Sequence, residues 1–376
     1  MYIRKGSLKL NMSSISPIRA KALKAGDTIA LISPSDRLNI SHARELARAK
    51  SVLTSRGYQV HEIFTPDTPG SVQSSISNRL SEFREAFMNP SFAAVICTIG
   101  GTSFTELLPG LLADKELHAA IRAHPKVVLG CSDITGVHWF LYGVAGLRTF
   151  YGPGMLPELS EPSGENSMLD FNVRNLFPAI STAEPIGDIS RSQFYAPYLS
   201  PYLEEGIPTL KAGELLPNPG WTWIRRAKKA EGRLFGGFLM AMVRLAGVRA
   251  ITPDWRGRIV FIETAIGDGD VKSGNPLHRV QAAIADLLAQ GVFDEAAGLV
   301  IGRPYGYNTP EELEAYMAVF RGLLCEGQMA AKTDFPILFG VDFGHTLPVI
   351  TLPFDALAVL DGENDRFAVI ESGVLE

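Results

Sequence analysis

The sequence predicts an α/β fold: an N-terminal domain with a mainly parallel sheet and flanking helices, then a C-terminal β-rich, barrel-like α+β domain. Short apolar runs alternate with amphipathic helical segments over residues 26–145, and nearly continuous apolar runs are typical of parallel strands covered on both faces. Residues 160–230 are rich in Pro, Gly, Ser and Glu. After residue 335, short apolar runs follow one another without helices between them, which predicts an antiparallel or barrel-like arrangement.

These changes of pattern divide the chain into four parts. We predict a disordered leader at 1–17, an N-terminal α/β domain at 18–165, a crossover at 166–230 and a C-terminal domain at 231–376. Apolar runs bounded by Gly, Pro or Ser predict the N-terminal strands, and 3.6-residue periodicity predicts the helices between them. The N-terminal strands are expected at 25–35, 58–64, 92–101 and 126–130, and helices at 41–58 and 78–90.

The same two signals predict the elements that follow. A helix is expected within the crossover at 167–177, and a strand-to-helix unit opens the C-terminal domain at 231–247. Further strands are expected at 257–264, 298–304, 336–343, 347–353, 356–361 and 367–372, with helices at 276–291 and 310–327.

Composition excludes several functional classes. The 376 residues carry a net charge of −5 and are 46% hydrophobic, so nothing indicates nucleic acid or an anionic lipid surface as a partner. Three cysteines are too few for a disulfide framework or a cysteine-based zinc site. No metal-ligand spacing, phosphate loop or dinucleotide fingerprint occurs. We expect no metal, no cofactor and no membrane segment, and a cytoplasmic location.

The stretch VVLGCSDITGVHWF, residues 127–140, joins an apolar strand to a helix. A serine on such a corner can expose its hydroxyl beside the first N–H groups of the helix, as in a nucleophile elbow. Ser132 is therefore a candidate nucleophile, although serine is also a preferred helix cap and the local pattern alone favours capping. Cys131 is a rival, but its alternate position on the strand end favours packing on the opposite side.

A serine nucleophile needs a base and an orienting acid. Among the seven histidines, His345 follows an apolar strand and a glycine in VDFGHTLP, in a loop between strands, where catalytic groups are common. A structural role for it is the alternative. His138 lies on the same helix as Ser132 and on the wrong side to reach back. Glu263 ends the apolar run GRIVFIET and is the candidate acid, although a charge at a strand end is often only the point where the chain regains solvent.

Two consecutive glycines, Gly100 and Gly101, follow the apolar run VICTI. Backbone without a Cβ can approach a ligand closely and donate N–H groups to it. We therefore include the glycine pair among the candidate substrate-binding residues.

Seven segments together resemble the LD-carboxypeptidase family of serine peptidases, and most closely its microcin C self-immunity branch. The resemblance extends from about Ala22 to Val374, and the order and spacing of the segments make it specific. The segments are GDTIALISPS, TIGGTSFTELLPGL, VLGCSDITGVHWFLYGVAGLRTFYGP, EGRLFGGFLMAMVRLAG, IVFIET, GVFDEAAGLVIGRP and FGHTLPVITLPFDALAVLD.

The resemblance implies a Ser-Glu-His triad in that chain order, with Ser132 as nucleophile, Glu263 as acid and His345 as base. It implies that the backbone N–H groups of Asp133 and Gly101 hold the oxyanion. It further implies a site at the junction of the two domains, no metal or organic cofactor, and a homodimer.

Two positions depart from the family pattern. Cys131 stands where the family usually has an aromatic residue, which we expect to alter packing beneath the nucleophile more than chemistry. Phe238 stands where the family usually has a polar residue, often asparagine. The second departure lies in the segment expected at the domain junction.

Two substrates fit the resemblance: a microcin-type aminoacyl-nucleotide amide, or a muropeptide that loses a terminal D-amino acid. The insert NPGWTWIRR favours the first, because Trp221 or Trp223 could stack on a base and Arg225 or Arg226 could contact a phosphate. The alternative is that both tryptophans hold the crossover to the surface.

Other classes of protein also fit the residues. The N-terminal half could be a non-catalytic small-molecule-binding module in which Ser132 is a helix cap. An amidotransferase-like domain that uses Cys131 is a further alternative.

Overall fold

The computed structural model describes residues 17–164, 167–199, 211–267, 270–327 and 334–376. Of the predicted leader, 1–17, only Pro17 is among the described residues. Residues 200–210 of the predicted crossover also lie outside them. Two large sheets carry the fold.

The N-terminal sheet has six strands in the order β14-β5-β4-β3-β1-β2. Strands β1 to β5 are parallel to one another, and β14 pairs antiparallel with β5 at the edge. The central strands are apolar and buried along almost their whole length, as expected for a sheet covered on both faces. The strands are β1 Thr28–Ile32, β2 Gln59–Glu62, β3 Phe92–Cys97, β4 Val127–Gly130, β5 Phe150–Tyr151 and β14 Leu352–Pro353.

Within the described ranges, six helices accompany this sheet, and each buries an apolar stripe. One of them, the helix that follows β4, ends at Gly146, whose φ of 70° is the left-handed conformation that commonly terminates helices. No helix in the described ranges is both long and apolar enough to cross a membrane. The helices are α1 Ala43–Thr54, α2 Val72–Met88, α3 Leu108–Ala113, α4 Lys115–Ala123, α5 Thr135–Ala145 and α6 Leu169–Ser181.

The C-terminal sheet has eight strands in the order β6-β16-β15-β10-β11-β12-β13-β9. The described helices of this half are α7 Leu239–Leu245, α8 Leu277–Ala289 and α9 Pro310–Leu324. The strands are β6 Gly187–Asp188, β9 Thr222–Arg225, β10 Ala230–Phe238, β11 Arg258–Glu263, β12 Gly298–Gly302, β13 Ile337–Val341, β15 Leu357–Asp361 and β16 Arg366–Val369. A separate hairpin pairs β7 Phe194–Tyr195 with β8 Leu216–Pro217.

The predicted fold class is confirmed: a mostly parallel N-terminal sheet and a separate β-rich C-terminal sheet. The closing strands β14, β15 and β16 make antiparallel pairs, as expected, but the expectation of an antiparallel or barrel-like C-terminal half is wrong for the centre of the sheet. Strands β10 to β13 are parallel, because a helix connects each of them to the next and returns the chain to the same end of the sheet. Within the described strands the sheet is open, with β6 and β9 as its two edges.

Two parts of the chain, the C-terminal domain and the crossover, contribute strands to a sheet built mainly by another part. Strand β14, from the C-terminal half, completes the N-terminal sheet beside β5. Strands β6 and β9, from the predicted crossover, pair with β16 and β13 of the C-terminal sheet. The crossover is therefore partly built into the C-terminal sheet.

A continuous aromatic core joins the two sheets. Trp139 on α5 packs against Phe235 on β10 with ring centroids 5.6 Å apart, and its indole N–H donates to the carbonyl of Gly236 at 2.9 Å. Phe235 in turn contacts Phe354, which follows β14, at 5.1 Å. All three rings are fully buried. These contacts fix the ends of β4 and β11 relative to each other.

Gly236 is a position where the packing of β10 on β11 forbids a side chain. A Cβ there would lie 1.8 Å from the carbonyl oxygen of Phe261. We expect Gly236→Ala to lower the free energy of unfolding by at least about 1–3 kcal/mol, because the backbones of the two strands must separate. The measurement is the apparent melting temperature.

The control is Gly322→Ala, in the exposed face of α9, where a Cβ meets no atom within 4 Å. Alanine is the better helix former by roughly 1 kcal/mol, so this variant should melt at the same temperature or slightly higher. Equal melting temperatures for Gly236→Ala and the parent protein would contradict the close approach of β10 and β11.

Candidate active site

Ser132 lies on a tight turn between β4 and α5. The chain leaves the strand at Gly130, makes a short 3-10 turn over Ser132–Ile134 and continues as α5. The φ of Ser132 is 61°, in the left-handed region that few residues other than glycine occupy. Strained backbone of this kind is common at functional sites.

The side chain of Ser132 does not cap a helix. The residue preceding the 3-10 turn is Cys131, and neither that turn nor α5 has a side-chain capping bond. Instead, Thr135 donates its hydroxyl to the carbonyl of Ser132 at 2.7 Å. The interpretation of Ser132 as a helix cap is therefore wrong, and its hydroxyl remains available for other contacts.

His345 joins Ser132 to Glu263. Its Nε2 lies 3.0 Å from Ser132 Oγ, and its Nδ1 lies 2.7 Å from Glu263 Oε2. The histidine follows β13, Glu263 ends β11 and Ser132 follows β4. Three residues predicted separately from the sequence thus form one continuous path of hydrogen bonds at the junction of the two sheets.

Two glycines make room for the carboxylate of Glu263, which is fully buried. A Cβ on Gly302, at the end of β12, would lie 3.0 Å from the Glu263 Cβ, and a Cβ on Gly344 would lie as close. Gly344 also has a φ of 111°, which a residue with a side chain rarely adopts. Glycine at these positions lets β12 and the His345 loop close over the acid.

The glycine pair also lies where the sequence predicts. A Cβ on Gly100 would be 2.9 Å from Ser132 Oγ and 3.3 Å from the backbone N of Asp133. Gly101 has a φ of 134°, and its Cβ position is filled by the carboxylate of Asp36. The loop therefore packs directly against the turn that carries Ser132.

The side chain of Asp133 is fully engaged in holding that turn. Its buried carboxylate accepts hydrogen bonds from the Ser35 hydroxyl at 2.7 Å and from the Phe104 N–H at 2.9 Å. Arg244, from α7, donates to the other oxygen at 2.5 Å and to the carbonyl of Thr102 at 3.0 Å. The Asp133 carboxylate therefore has a structural role in the turn.

The charge on Glu263 controls the electrostatics of His345. Burial alone would lower the pKa of the imidazole, but the charge and hydrogen bond of Glu263, helped by Glu158, outweigh it and raise the pKa above its usual value. Glu158 is itself buried, and the loss of solvation raises its pKa to about 7 despite the hydrogen bond from the Gly154 N–H. Two buried acids, Glu263 and Glu158, therefore both act to raise the pKa of His345.

Cys131 and His138 are packing residues, as the sequence predicts. The Cys131 thiol donates to Glu158 Oε1 at 3.9 Å, and burial together with neighbouring carboxylates holds its pKa well above the ordinary value. His138 lies between Thr149 Oγ1 at 2.9 Å and the carbonyl of Gly130 at 3.0 Å. Burial lowers the pKa of its imidazole to about 4, so it stays neutral and supports β4 from behind.

Phe238 ends β10 beside the candidate base. Its ring centroid is 5.6 Å from that of His345, and its N–H donates to Thr135 Oγ1 at 2.9 Å. The departure from the family pattern therefore places an apolar wall next to the imidazole.

The tryptophans of the predicted insert belong to the edge of the C-terminal sheet. Trp223 donates its indole N–H to Asp365 Oδ1 at 2.7 Å. The guanidinium of Arg191 lies 3.7 Å from the ring centroid of Trp221. Both rings thus have partners within the sheet edge.

Arg225 ends β9 and donates to the carbonyl of Phe335 at 2.9 Å. Strand β9 runs antiparallel to β13, so Arg225 lies beside the start of β13 and His345 follows its end. Among the described contacts, none joins the insert to Ser132. The structure does not bring these predicted substrate-binding residues to the site, and their role in substrate binding stays a prediction.

Two residues of the site were missed by sequence reasoning. Tyr151 donates its hydroxyl to Glu263 Oε1 and accepts the N–H of Ser132, and Glu158 lies beneath Cys131. Tyr151 is the polar end of a strand that neighbours β4, and carboxyl ends of parallel strands meet at one edge of a sheet; that signal could have identified it. No three His, Cys, Asp or Glu side chains in the described ranges are grouped closely enough to hold a metal ion.

The fold and the family that this chain shares with known carboxypeptidases define a serine hydrolase of the carboxypeptidase type. The chain belongs to the LD-carboxypeptidase family: residues 29–152 match the family's N-terminal domain and residues 231–360 its C-terminal domain. The resemblance noted in the sequence is thereby confirmed.

Relatives extend over most of the chain. The microcin C7 self-immunity protein MccF of Escherichia coli is 26% identical over 94% of this chain and 96% of its own. The murein tetrapeptide carboxypeptidase of Pseudomonas aeruginosa is 24% identical over 78% of this chain and 80% of its own.

Solved structures of MccF have the same fold. The wild-type apo structure has a TM-score of 0.79 at 25% identity and covers 95% of this chain and 100% of its own. Two further MccF structures, at the same score and identity, are complexes with glutamyl sulfamoyl guanosine and aspartyl sulfamoyl adenosine.

We expect the pKa of the His345 imidazole to fall in Glu263→Gln. The neutral amide removes the charge that raises this pKa, and burial, which lowers it, then dominates. The measurement is an NMR titration of the imidazole protons, with the His345 signal identified from its loss in His345→Gln.

The control is Glu311→Gln, which removes a carboxylate from the exposed first turn of α9 and should leave the His345 titration where it was. A His345 pKa that is unchanged or higher in Glu263→Gln would show that the carboxylate does not govern the imidazole.

Proposed function

We propose that the protein is a serine hydrolase with a Ser132–His345–Glu263 triad that cleaves an amide bond next to a terminal amino acid. The observation that carries the proposal is the path of hydrogen bonds from Glu263 Oε2 through His345 to Ser132 Oγ, at 2.7 and 3.0 Å. Nucleophile and base lie within hydrogen-bond reach, and a third group orients the base, as this chemistry requires.

In the proposed mechanism, His345 donates its Nδ1–H to Glu263, which leaves Nε2 free to accept the proton of Ser132 as its oxygen attacks the carbonyl carbon. The imidazolium formed is stabilised by the buried carboxylate. His345 then gives the proton to the leaving amine. Water, deprotonated by the same imidazole, releases the acyl group from Ser132.

We infer that the tetrahedral oxyanion accepts hydrogen bonds from the backbone N–H groups of Asp133 and Gly101. Asp133 N lies at the start of a helix, where backbone N–H groups carry partial positive charge. The packing of Gly100 against Ser132 supports this arrangement, because it brings the glycine loop to the same side of the nucleophile. Donors fixed in place before the reaction are the most effective ones.

For the substrate we propose a microcin-type aminoacyl-nucleotide conjugate, which would make the reaction a detoxification. The likeness to MccF, whose solved structures include complexes with aminoacyl sulfamoyl nucleosides, supports it. The second candidate is a muropeptide that loses a terminal D-amino acid, which the likeness to the murein tetrapeptide carboxypeptidase supports. A cytoplasmic location and a homodimer stay predictions.

Ser132→Ala and His345→Ala should each lower kcat by on the order of 10⁴- to 10⁶-fold, because triad members act as a unit. Aspartyl sulfamoyl adenosine and a muropeptide tetrapeptide are assayed side by side, with release of the free amino acid as the measurement. The control is His124→Ala, an exposed residue at the end of α4, which should keep the parent rate.

Each result decides one part of the proposal. Hydrolysis that survives Ser132→Ala would exclude the triad, and so would loss of activity on thiol alkylation that Cys131→Ala spares. Faster hydrolysis of the tetrapeptide than of the adenosine conjugate would favour the cell-wall substrate. Saturable binding of either compound without hydrolysis would indicate a binding module.

A further inference from the structure

We propose that Tyr151 is a positioning residue of the active site, whose single hydroxyl couples the turn that presents Ser132 to the carboxylate that orients His345. This proposal rests on the proposed function. Tyr151 touches neither the substrate nor the reacting atoms; it acts through the two residues that it holds.

The position of Tyr151 makes this coupling possible. It ends β5, between Gly130 on β4 and Leu352 on β14, at the edge where the Ser132 turn begins. Its ring is 1% exposed and crosses the junction of the two sheets to contact Phe261 on β11, with centroids 5.5 Å apart. Phe261 and Glu263 are two residues apart on that strand, so they face the same side.

The hydroxyl has one proton to donate and lone pairs to accept with, and both capacities are used. It donates to Glu263 Oε1 and accepts the N–H of Ser132 at 2.8 Å. Burial and the charge of Glu263 hold the pKa of the phenol well above its ordinary value, so the donor keeps its proton. One oxygen atom is therefore a partner of both the nucleophile's backbone and the acid.

This bond fixes the rotation of the carboxylate. Glu263 Oε2 faces His345 Nδ1 and Oε1 faces Tyr151, so the plane of the carboxylate is determined by two partners on opposite sides. Without the phenol, Oε1 would be a buried oxygen with no described donor, and the carboxylate could turn away from the imidazole. Misorientation of a catalytic base by a small angle is enough to slow a reaction severely.

The same bond supports the strained backbone of Ser132. A residue with a left-handed φ of 61° keeps this strained conformation only if contacts with its surroundings hold the backbone in place. The turn is held by the Thr135 hydroxyl on the carbonyl side and by Tyr151 on the N–H side. Because the Ser132 N–H is occupied by the phenol, the next N–H along the chain, that of Asp133, is the one left for the oxyanion.

Other titratable groups also lie close to Tyr151 and to the turn that carries Ser132. Glu158 and Cys131 lie beside the Ser132 turn, and the His138 ring lies 6.0 Å from that of Tyr151. Removing the hydroxyl leaves these groups in place. It takes from Glu263 the donor that fixes the plane of its carboxylate, so the carboxylate can turn away and its attraction for the His345 imidazolium decreases.

The test is Tyr151→Phe, which keeps the ring contacts and removes only the hydroxyl. A fluorophosphonate probe labels Ser132 independently of the natural substrate, and its labelling rate is compared with kcat and KM for aspartyl sulfamoyl adenosine. We expect a fall in labelling rate and kcat on the order of 10- to 100-fold, smaller than the loss of a triad member. KM should stay within about 2-fold, because no substrate contact is removed.

The control is Tyr316→Phe. Tyr316 is equally buried, and its hydroxyl lies 3.0 Å from Thr264 Oγ1, one residue beyond Glu263. This variant loses a comparable buried hydrogen bond without touching the acid, so its labelling rate should match that of the parent protein. A drop as large as that of Tyr151→Phe would indicate a general packing effect and overturn the proposal.

A double-mutant cycle with Glu263→Gln tests whether the loss of the Tyr151 hydroxyl acts through Glu263 or lowers the labelling rate independently of it. If Tyr151 acts through Glu263, the double variant should label little more slowly than Glu263→Gln alone, because coupled residues are non-additive. Multiplied losses would contradict that route. In Tyr151→Phe, the acid limb of kcat/KM should also move to lower pH, because a carboxylate that turns away raises the His345 pKa less. An unmoved limb would argue against the change in the His345 environment.

A second variant keeps the test decisive if Tyr151→Phe folds poorly. Replacing Tyr151 by 4-aminophenylalanine restores a donor toward Glu263, and we expect it to label faster than Tyr151→Phe and to approach the parent rate. If the parent protein is labelled and neither variant is slowed, Tyr151 has no positioning role. If Ser132 is not labelled even in the parent protein, the proposed nucleophile fails, which is a separate result.

Discussion

The buried carboxylate of Glu263 is the group around which the junction of the two sheets is organised. A charge without solvent must be hydrogen-bonded on both oxygens, and here the partners come from opposite sides: His345 from the C-terminal half and Tyr151 from the N-terminal sheet. Gly302 and Gly344 leave the space that the acid fills. Satisfying one carboxylate thus requires both sheets to meet in a single orientation.

The turn that carries Ser132 is also held by hydrogen bonds on both sides. Ser132 adopts a left-handed φ on a turn whose carbonyl is bonded by Thr135 and whose N–H is bonded by Tyr151. The buried side chain of Asp133 ties the turn to the glycine loop and to Arg244. Rigid surroundings of this kind are what keep a strained residue in place.

Much of the site could be predicted from the sequence because its parts follow local rules. A serine after an apolar strand, an acid at a strand end and a histidine after a glycine were each recognisable, and the family resemblance gave them roles. The insert around Trp221 is harder to interpret, since aromatic and basic residues on an edge strand also stabilise the sheet itself. Local patterns cannot distinguish a ring that stacks on a ligand from one that stacks on Arg191.

The amino-acid pattern predicts the fold class and most of the longer strands and helices, because these depend on periodicity and turn chemistry. It makes Ser132, Glu263 and His345 candidates, whose roles come from the family resemblance. The parallel pairing of β10 to β13 in an open sheet and the bridge that Tyr151 forms between Ser132 and Glu263 emerge from the packing of distant segments. The Tyr151 contacts join residues 19 and 112 positions apart. Their geometry depends on how two sheets pack, and no local pattern encodes that packing.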